Sequence, residues 1–564
     1  MNLWWIAYPG RLEREEDALR ADRIAVERDS EAFDAGFLKL RLVLPPGYWP
    51  ATELIAIYPD SYPYTRPEIF APSLTLDHHQ NPALKNLCLL PRSSEHWPPT
   101  WTVADLLREQ LPKLKRALEA EDRAQLAQVE IEQGEPFTAW FDYEEESIVV
   151  IDSSMAVPDS PYGFFALAQL DAGIEPLRGR VGMITDHAAK SSWSTLKADE
   201  EDDALPGMWI RTPRPTLFRN ADALFSELMH ERAELAKAPW KKGVQVVALI
   251  FQDELGHRTD GLGWVCLVRR RGEGKGGKHR AKSAFVRVDR AGISDLAARF
   301  PGFRDLQRCG IAVVGLGCVG APSAIEFARS GIGRLHMLDD DVVEAGTTVR
   351  WPLGLTVAGR RKAKVLFDTI SRDYPWVGPL RAHTTRLGAL PDRKPNGERE
   401  ALTDLLNGVD LLYDATGETG LQYLLSTLAR DRNLPYVCVS GTRGARGGIV
   451  ARFNHRAGSG CWWCFQAALD RVIPSPHADE AADVQPAGCG RVTYVGANFD
   501  MMEVSLQGVR LAVSTLLARR GQDELDYRWD VAVVNLTDER GRRTEPRWTV
   551  YDLQQNIACP VCHS

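Results

Sequence analysis

The chain has 564 residues, 44% of them hydrophobic and 26% charged, with a formal net charge of −8. This is the composition of an ordinary globular protein, and it excludes a disordered chain, a collagen and a small disulfide scaffold. At roughly 150 residues per domain the length predicts three or four units, hence more than one site. The acidic balance offers no field to hold a polyanion, so no nucleic-acid partner is expected, and the longest strongly apolar run, residues 244–251, falls far short of the roughly 18 residues of a membrane span. The opening MNLWWIAYPGRLEREED lacks a basic stretch followed by an apolar core, so the expected location is cytoplasmic.

Residues 11–28 are charged, with Leu12, Leu19, Ile24 and Val26 at helical spacing, which predicts an exposed helix. Residues 37–44 alternate, placing Leu38, Leu40, Leu42 and Leu44 on one side, and residues 53–58 form a second strand after the turn Pro45-Pro46-Gly47. An irregular stretch rich in proline and tryptophan covers 59–101, and a helix over 103–130 closes this first region. Residues 136–298 read as a linker of mixed structure: strands at 148–152 and 244–251, a helix at 221–237, an acidic run at 198–204 and a glycine-interrupted basic loop at 269–282. From Cys309 onward a buried strand, a glycine turn, a helix and a second strand ending in acids follow one another, with later strands at 410–415 and 436–440. The predicted class is α/β in three domains, 1–135, 136–298 and 299–564.

Gly315, Gly317 and Gly320 follow the predicted strand 311–314, and Asp339 stands nineteen residues after the last glycine at the end of the next strand. Glycines let the backbone approach a phosphate, the helix N-terminus faces its charge, and the carboxylate accepts from ribose hydroxyls. A dinucleotide dehydrogenase would need little more. Arg350 and Lys362 point instead to a triphosphate, because fixed cations stabilise a leaving pyrophosphate, which hydride transfer does not require.

Of the ten cysteines, Cys461/Cys464 and Cys559/Cys562 form two CxxC pairs with 94 residues between Cys464 and Cys559. Four thiolates are the tetrahedral set that a structural Zn2+ accepts, with redox pairs or unliganded thiols as the alternative. Cys266, Cys309, Cys318 and Cys438 lie within or beside apolar runs and read as core residues. Cys489 lies between the pairs in PAGCGRVTY, flanked by glycine, and Cys88 stands alone in the first 265 residues.

The glycine turn, the acids of LDDD, Arg350, the GxxKA-like stretch before and after Lys362, Asp414-Ala415-Thr416 and the paired CxxC occur in that order and resemble the ubiquitin-activating (E1), ThiF-type adenylyltransferase family over about 299–564. The resemblance implies a Rossmann-like domain that adenylates a protein C-terminus with ATP and Mg2+: Gly315, Gly317, Gly320 and Asp339 around the nucleotide, Arg350 and Lys362 at its phosphates, Asp414 or Asp341 at magnesium, and a thioester on Cys489. Thr347 and Gly417 replace an asparagine and an acid of the family pattern. Residues 10–130 resemble the ubiquitin-conjugating (E2) fold: YPDSYPYTRPEIF, then His79-Gln80-Asn81, Cys88 seven residues after Asn81, and HWPPTWTV. That α+β domain implies Cys88 as the conjugating nucleophile, with Asn81 stabilising an oxyanion. His78, His79 and His96 read as loop residues rather than metal ligands, since no thiolate or acid cluster completes a set. Together the halves resemble the E2–E1 fusions of CBASS antiphage operons. The implied partners are a donor protein with a flexible C-terminus, either a cGAS-like nucleotidyltransferase or a ubiquitin-like protein, and a target amine, taken as lysine; a homodimer is implied as well. A sulfur-carrier adenylyltransferase and a binding scaffold with a degenerate nucleotide site are the competing classes.

Overall fold

The computed structural model describes residues 3–46, 48–49, 53–90, 97–120, 134–196, 198–272, 281–388, 397–454, 458–479, 481–484 and 493–562. The chain divides into two compact units, Met1–Arg290 and Ala291–Ser564.

The first unit begins with an antiparallel sheet of four strands in chain order, Ala25–Arg28, Leu38–Val43, Glu53–Tyr58 and Glu68–Phe70. Alternation puts Leu38, Leu40, Leu42, Leu54, Ala56 and Tyr58 on its buried face. The helix Val103–Glu119 supplies Leu106, Leu107, Leu111 and Leu114 to the same core; each such leucine is worth about 1.5–3 kcal/mol of burial. Its start is set by a capping box, in which Thr102 accepts from the Asp105 amide while Asp105 accepts from the Thr102 amide. Residues 121–130 of the predicted helix lie outside the described residues. The helix predicted over 11–28 is shorter: it runs Pro9–Ala21 and gives way, through Arg23 at φ 57°, to the strand Ala25–Arg28, whose partner across the sheet is Leu40–Val43.

The region read as a mixed linker is a β-barrel. Seven strands pair in a ring: Val244–Gly256, Thr259–Arg271, Ala281–Arg290, Tyr143–Ile151, Leu177–Asp186, Tyr162–Ile174 and Leu205–Arg211, the last pairing in parallel with the first. The run 244–251 is apolar except for Gln245 because both its faces are covered. Val244, Val246, Ala248 and Ile250 belong to one core, and Val247, Leu249 and Phe251 to a second that the helix Ala221–Glu231 completes. The helix predicted over 221–237 changes after Glu231 into a 3-10 turn, Ala233–Lys237.

The second unit is a doubly wound α/β domain on an eight-stranded sheet. The order is Leu380–His383, Arg334–Leu338, Gly310–Val314, Leu411–Asp414, Tyr436–Gly441, Gly447–Phe453, Val531–Thr537 and Arg543–Tyr551. The first five strands pair in parallel and the last three antiparallel. Ile311 and Val313 face one core, Ala312 and Val314 the other, as a strand covered on both sides requires. From Gly310–Val314 the chain moves to Arg334–Leu338 on one side and later to Leu411–Asp414 on the other. That reversal opens a crevice at the carboxyl ends of the central strands, where open α/β sheets bind their ligands. Among the described residues no helix is long and apolar enough to cross a membrane.

Candidate active sites and cysteine cluster

The glycine turn occupies that crevice. Gly315 follows Val314 at φ 84°, and a Cβ there would come within 2.8 Å of the Ala415 and Thr416 backbone. A Cβ on Gly320, first residue of the helix Gly320–Arg329, would sit 1.8 Å from the Gly315 carbonyl oxygen. Both positions therefore need glycine for a close backbone approach. At Gly317 a Cβ would meet nothing within 4 Å, so this side of the turn has room for a ligand.

Asp339 organises the turn. Its Oδ2 accepts the Leu316 amide at 2.6 Å and its Oδ1 the Asp341 amide at 2.8 Å; a carboxylate with about four acceptor positions keeps others for a ribose. Trp351, which sequence reasoning passed over beside Arg350, is buried and donates its indole N–H to the Leu316 carbonyl at 2.9 Å. Lys362 starts the helix Lys362–Asp373 and meets Asp341 Oδ2 at 2.7 Å, with side-chain exposures of 13% and 33%. Arg350 is half-buried at the end of the 3-10 turn Ala345–Val349.

Asp414 is placed differently from a magnesium ligand. It is fully buried; Oδ1 accepts from the Thr416 amide and hydroxyl at 2.9 and 2.8 Å, and Oδ2 from the Tyr436 hydroxyl at 2.6 Å. Burial raises its carboxyl above the usual range. Asp414 thus fixes the 414–416 turn against Gly315, and the accessible candidate is Asp341. Tyr436 stands in a strand of apolar residues, so its hydroxyl partner was not legible from pattern.

The four sulfurs of Cys461, Cys464, Cys559 and Cys562 lie within 4.8 Å of one another. Cys461 is 3.8 Å from Cys464 and 3.6 Å from Cys559, and Cys464 is 3.7 Å from Cys562. Zinc–sulfur bonds of about 2.3 Å in a tetrahedron place sulfurs about 3.8 Å apart, so the set fits zinc. The Asn556 amide donates to Cys464 Sγ at 3.3 Å. Burial opposes ionisation at Cys559, yet the Cys562 and Val561 amides bring its thiol down to about 7. Cys266 and Cys438 are buried core thiols, burial pushing Cys266 up to about 12. Cys309 is also buried, whereas Cys318, in the glycine turn, is half-buried and packs against the edge of the core. Cys489 lies outside the described residues.

Cys88 is half-buried, and its amide donates to the His79 carbonyl at 2.7 Å. Gln80 pairs with Leu87 in an antiparallel bridge, so the loop doubles back and brings residues 79–81 beside 86–88. Asn81 is buried; its Oδ1 accepts the Ala83 and Leu84 amides, both at 2.9 Å, which leaves Nδ2 as the group it can offer. Gln80 replaces the proline of the resembled motif and is buried too, its side chain bonded to Leu76, Ala71 and Lys85. His78 and His79 face Glu254 and Glu135, at 3.6 and 3.3 Å. Neither carboxylate was singled out from sequence, since neither belongs to a motif.

Residues 294–501 match the ThiF family. The chain is 32% identical to the uncharacterized protein y4oA of Sinorhizobium fredii across 99% of this chain and 97% of that protein. It is 30% identical to the probable adenylyltransferase/sulfurtransferase MoeZ of Mycobacterium tuberculosis across 24% of this chain and 32% of that one. Among solved structures, E. coli MccB with MccA-N7isoASN covers 46% of this chain and 69% of its own, at 12% identity and a TM-score of 0.34. The chain belongs to the family of y4oA, and its second unit carries a ThiF-family α/β domain.

Proposed function

We propose that the chain is an enzyme that adenylates the C-terminal carboxylate of a protein with ATP. The observation that carries this reading is the crevice itself: an open glycine turn at the switch point of a ThiF-family domain, with Asp339 beneath it and Lys362 at its edge. A carboxylate oxygen attacks the α-phosphorus and pyrophosphate leaves. Lys362 exchanges Asp341 for phosphate oxygens, and with Arg350 it offsets the charge that develops on the leaving group. Magnesium, which accompanies the triphosphate in the resembled family, would meet Asp341 rather than the enclosed Asp414.

The finer reading is a relay. The Cys489 thiolate attacks the acyl-adenylate and releases AMP; the Cys88 thiolate takes the acyl group and releases Cys489. A target amine, lysine in the resembled family, then attacks the Cys88 thioester, so that a C–N bond forms, the C–S bond breaks and Cys88 leaves as thiol. Asn81 Nδ2 would donate to the oxyanion of that last step. The backbone support for Cys88 and the committed oxygen of Asn81 favour this reading. The donor is a cGAS-like nucleotidyltransferase in antiphage defence or a ubiquitin-like protein, and the enzyme works as a homodimer. Zinc at the four cysteines would be structural, a closed set with no position for substrate. A sulfur-carrier adenylyltransferase is the second reading, favoured by the name of MoeZ.

The test is incubation with ATP and each candidate donor. Pyrophosphate exchange followed by a reductant-sensitive adduct on Cys489 and Cys88 is expected. Exchange without any such adduct gives the sulfur-carrier reading, and absence of ATP binding overturns adenylation altogether.

A further inference from the structure

The barrel has no role in the relay described so far, yet it touches the loop that carries Cys88. Glu135 is tied to the barrel on both sides. A Cβ on Gly134 would lie 2.9 Å from the Gly256 backbone, so residue 134 is seated on the hairpin that joins Val244–Gly256 to Thr259–Arg271. Two residues later the Phe137 and Thr138 amides donate to Asp253 of that same hairpin at 2.7 and 3.0 Å. Between these anchors the Glu135 side chain reaches the N-terminal loop: it accepts the His79 amide at 2.6 Å and faces His79 Nδ1 at 3.3 Å. His79 has φ 62°, a left-handed conformation unusual for a residue with a side chain, so something must hold it there. Its carbonyl is the acceptor of the Cys88 amide.

We infer that the barrel is part of the Cys88 site, with Glu135 as a positioning residue that fixes the His79 turn and, through it, the nucleophile. The inference rests on Cys88 being the conjugating thiol. Glu135 touches no reacting atom; it holds both the amide and the ring of His79. The adjoining pair, His78 with Glu254, applies the same hairpin to the preceding residue of the loop. The barrel is thereby a brace rather than a spacer.

Two measurements on the full chain separate this inference from the reading beneath it. The first needs neither donor nor ATP: the alkylation rate of Cys88 by iodoacetamide, read on the Cys88 peptide by mass spectrometry. The second loads Cys88 with a Gly-Gly acyl group from its mercaptoethanesulfonate thioester and reads discharge to free lysine against discharge to water. Glu135→Ala is expected to change the alkylation rate at least threefold and to lower the lysine-to-water ratio about tenfold, a modest share of what misplacing a reacting group can cost. Glu135→Gln, which keeps an oxygen for the His79 amide, should recover most of both. Glu144→Gln, which breaks the Arg270 pair elsewhere in the barrel, should change neither, so general softening would show itself. Wild-type values for Glu135→Ala in both measurements overturn the inference. Equal losses in Glu135→Gln and Glu144→Gln overturn it as well, since stability alone would then be the cause. Discharge of the wild-type chain to water only would defeat the conjugating reading, and the alkylation comparison would still decide whether Glu135 governs Cys88.

Discussion

Two fully buried carboxylates, Asp414 and Glu15, show how such a group is kept inside this protein, each with donors to both oxygens. Asp414 has Thr416 and Tyr436. Glu15 has the Tyr58 hydroxyl at 3.0 Å and the Val103 amide at 2.9 Å, with the Tyr62 hydroxyl and the Arg11 guanidinium beside it. It ties the helix Pro9–Ala21 to the strand Glu53–Tyr58 and to the start of the helix Val103–Glu119. Burial raises its carboxyl above the ordinary value of 4.5 even though all these donors oppose the shift. A raised carboxyl means that the folded state holds its proton longer than the unfolded state. Its contribution is full below about pH 4.5 and is lost as pH rises through the folded value. Urea unfolding followed by tryptophan fluorescence should show Glu15→Gln flattening the pH dependence of the first unit above pH 4.5. Glu15→Ala should cost about 2–4 kcal/mol below about pH 4.5 and less above it, because it leaves the Val103 amide and the Tyr58 hydroxyl unpaired, while Tyr62 keeps Arg11. An unchanged pH slope in Glu15→Gln would mean that another group sets it.

Elements of this chain were legible where local pattern decides them and illegible where closure does. The strand Glu53–Tyr58 and the strand–glycine turn–helix of the second unit follow from alternation and from glycine spacing. Closure of the barrel depends on the parallel pairing of Val246 with Gly207, thirty-nine positions apart, for which no local signal exists. The run 244–251 reads equally as a buried strand of any sheet. Glu15 was hidden in a helix full of carboxylates, since pattern does not say which one turns inward. Inside the barrel, a Cβ on Gly163 would lie 2.1 Å from the Thr185 carbonyl oxygen and 2.7 Å from the Trp209 ring. Backbone on one side and a buried indole on the other cannot give way, so Gly163→Ala should destabilise the first unit by about 1–3 kcal/mol in a chemical melt; a loss below 0.5 kcal/mol would show that the strands can part there. The cysteine cluster is the opposite case, fully legible as two CxxC pairs and equally dependent on closure. It joins the start of the helix Trp462–Ala468 to the chain that follows the edge strand Arg543–Tyr551. Metal analysis should give one zinc per chain. Cys559→Ser should lose it and lower the melting temperature of the second unit by about 10 °C, a few kcal/mol at 2–4 °C per kcal/mol. Retained zinc, or an unchanged melting temperature, would argue for thiols that merely share a pocket.

At the scale of the whole molecule, the proposed chemistry divides between the units. The nucleotide crevice belongs to Ala291–Ser564 and Cys88 to Met1–Arg290. The match to y4oA runs across 99% of this chain, so both units occur together in that relative as well. Covalent linkage serves a relay for a physical reason: a tethered acceptor thiol meets the donor thioester at an effective concentration of about millimolar, far above that of a free acceptor at about micromolar concentration. The relay then has a direction that variants can read. Lys362→Ala should lower ATP–pyrophosphate exchange by about 10²–10³-fold, the usual loss when a fixed positive donor is removed from a developing charge, and everything after adenylation should fall with it. Cys88→Ala should leave exchange within about twofold of wild type, since in the proposed relay Cys88 acts only after adenylation, yet abolish the amide product while a reductant-sensitive adduct persists on Cys489. Pyrophosphate exchange and non-reducing electrophoresis on the same samples measure both. Should Cys88→Ala still form the amide, acyl transfer must end at Cys489, and the first unit would serve to present the target amine rather than to carry the acyl group.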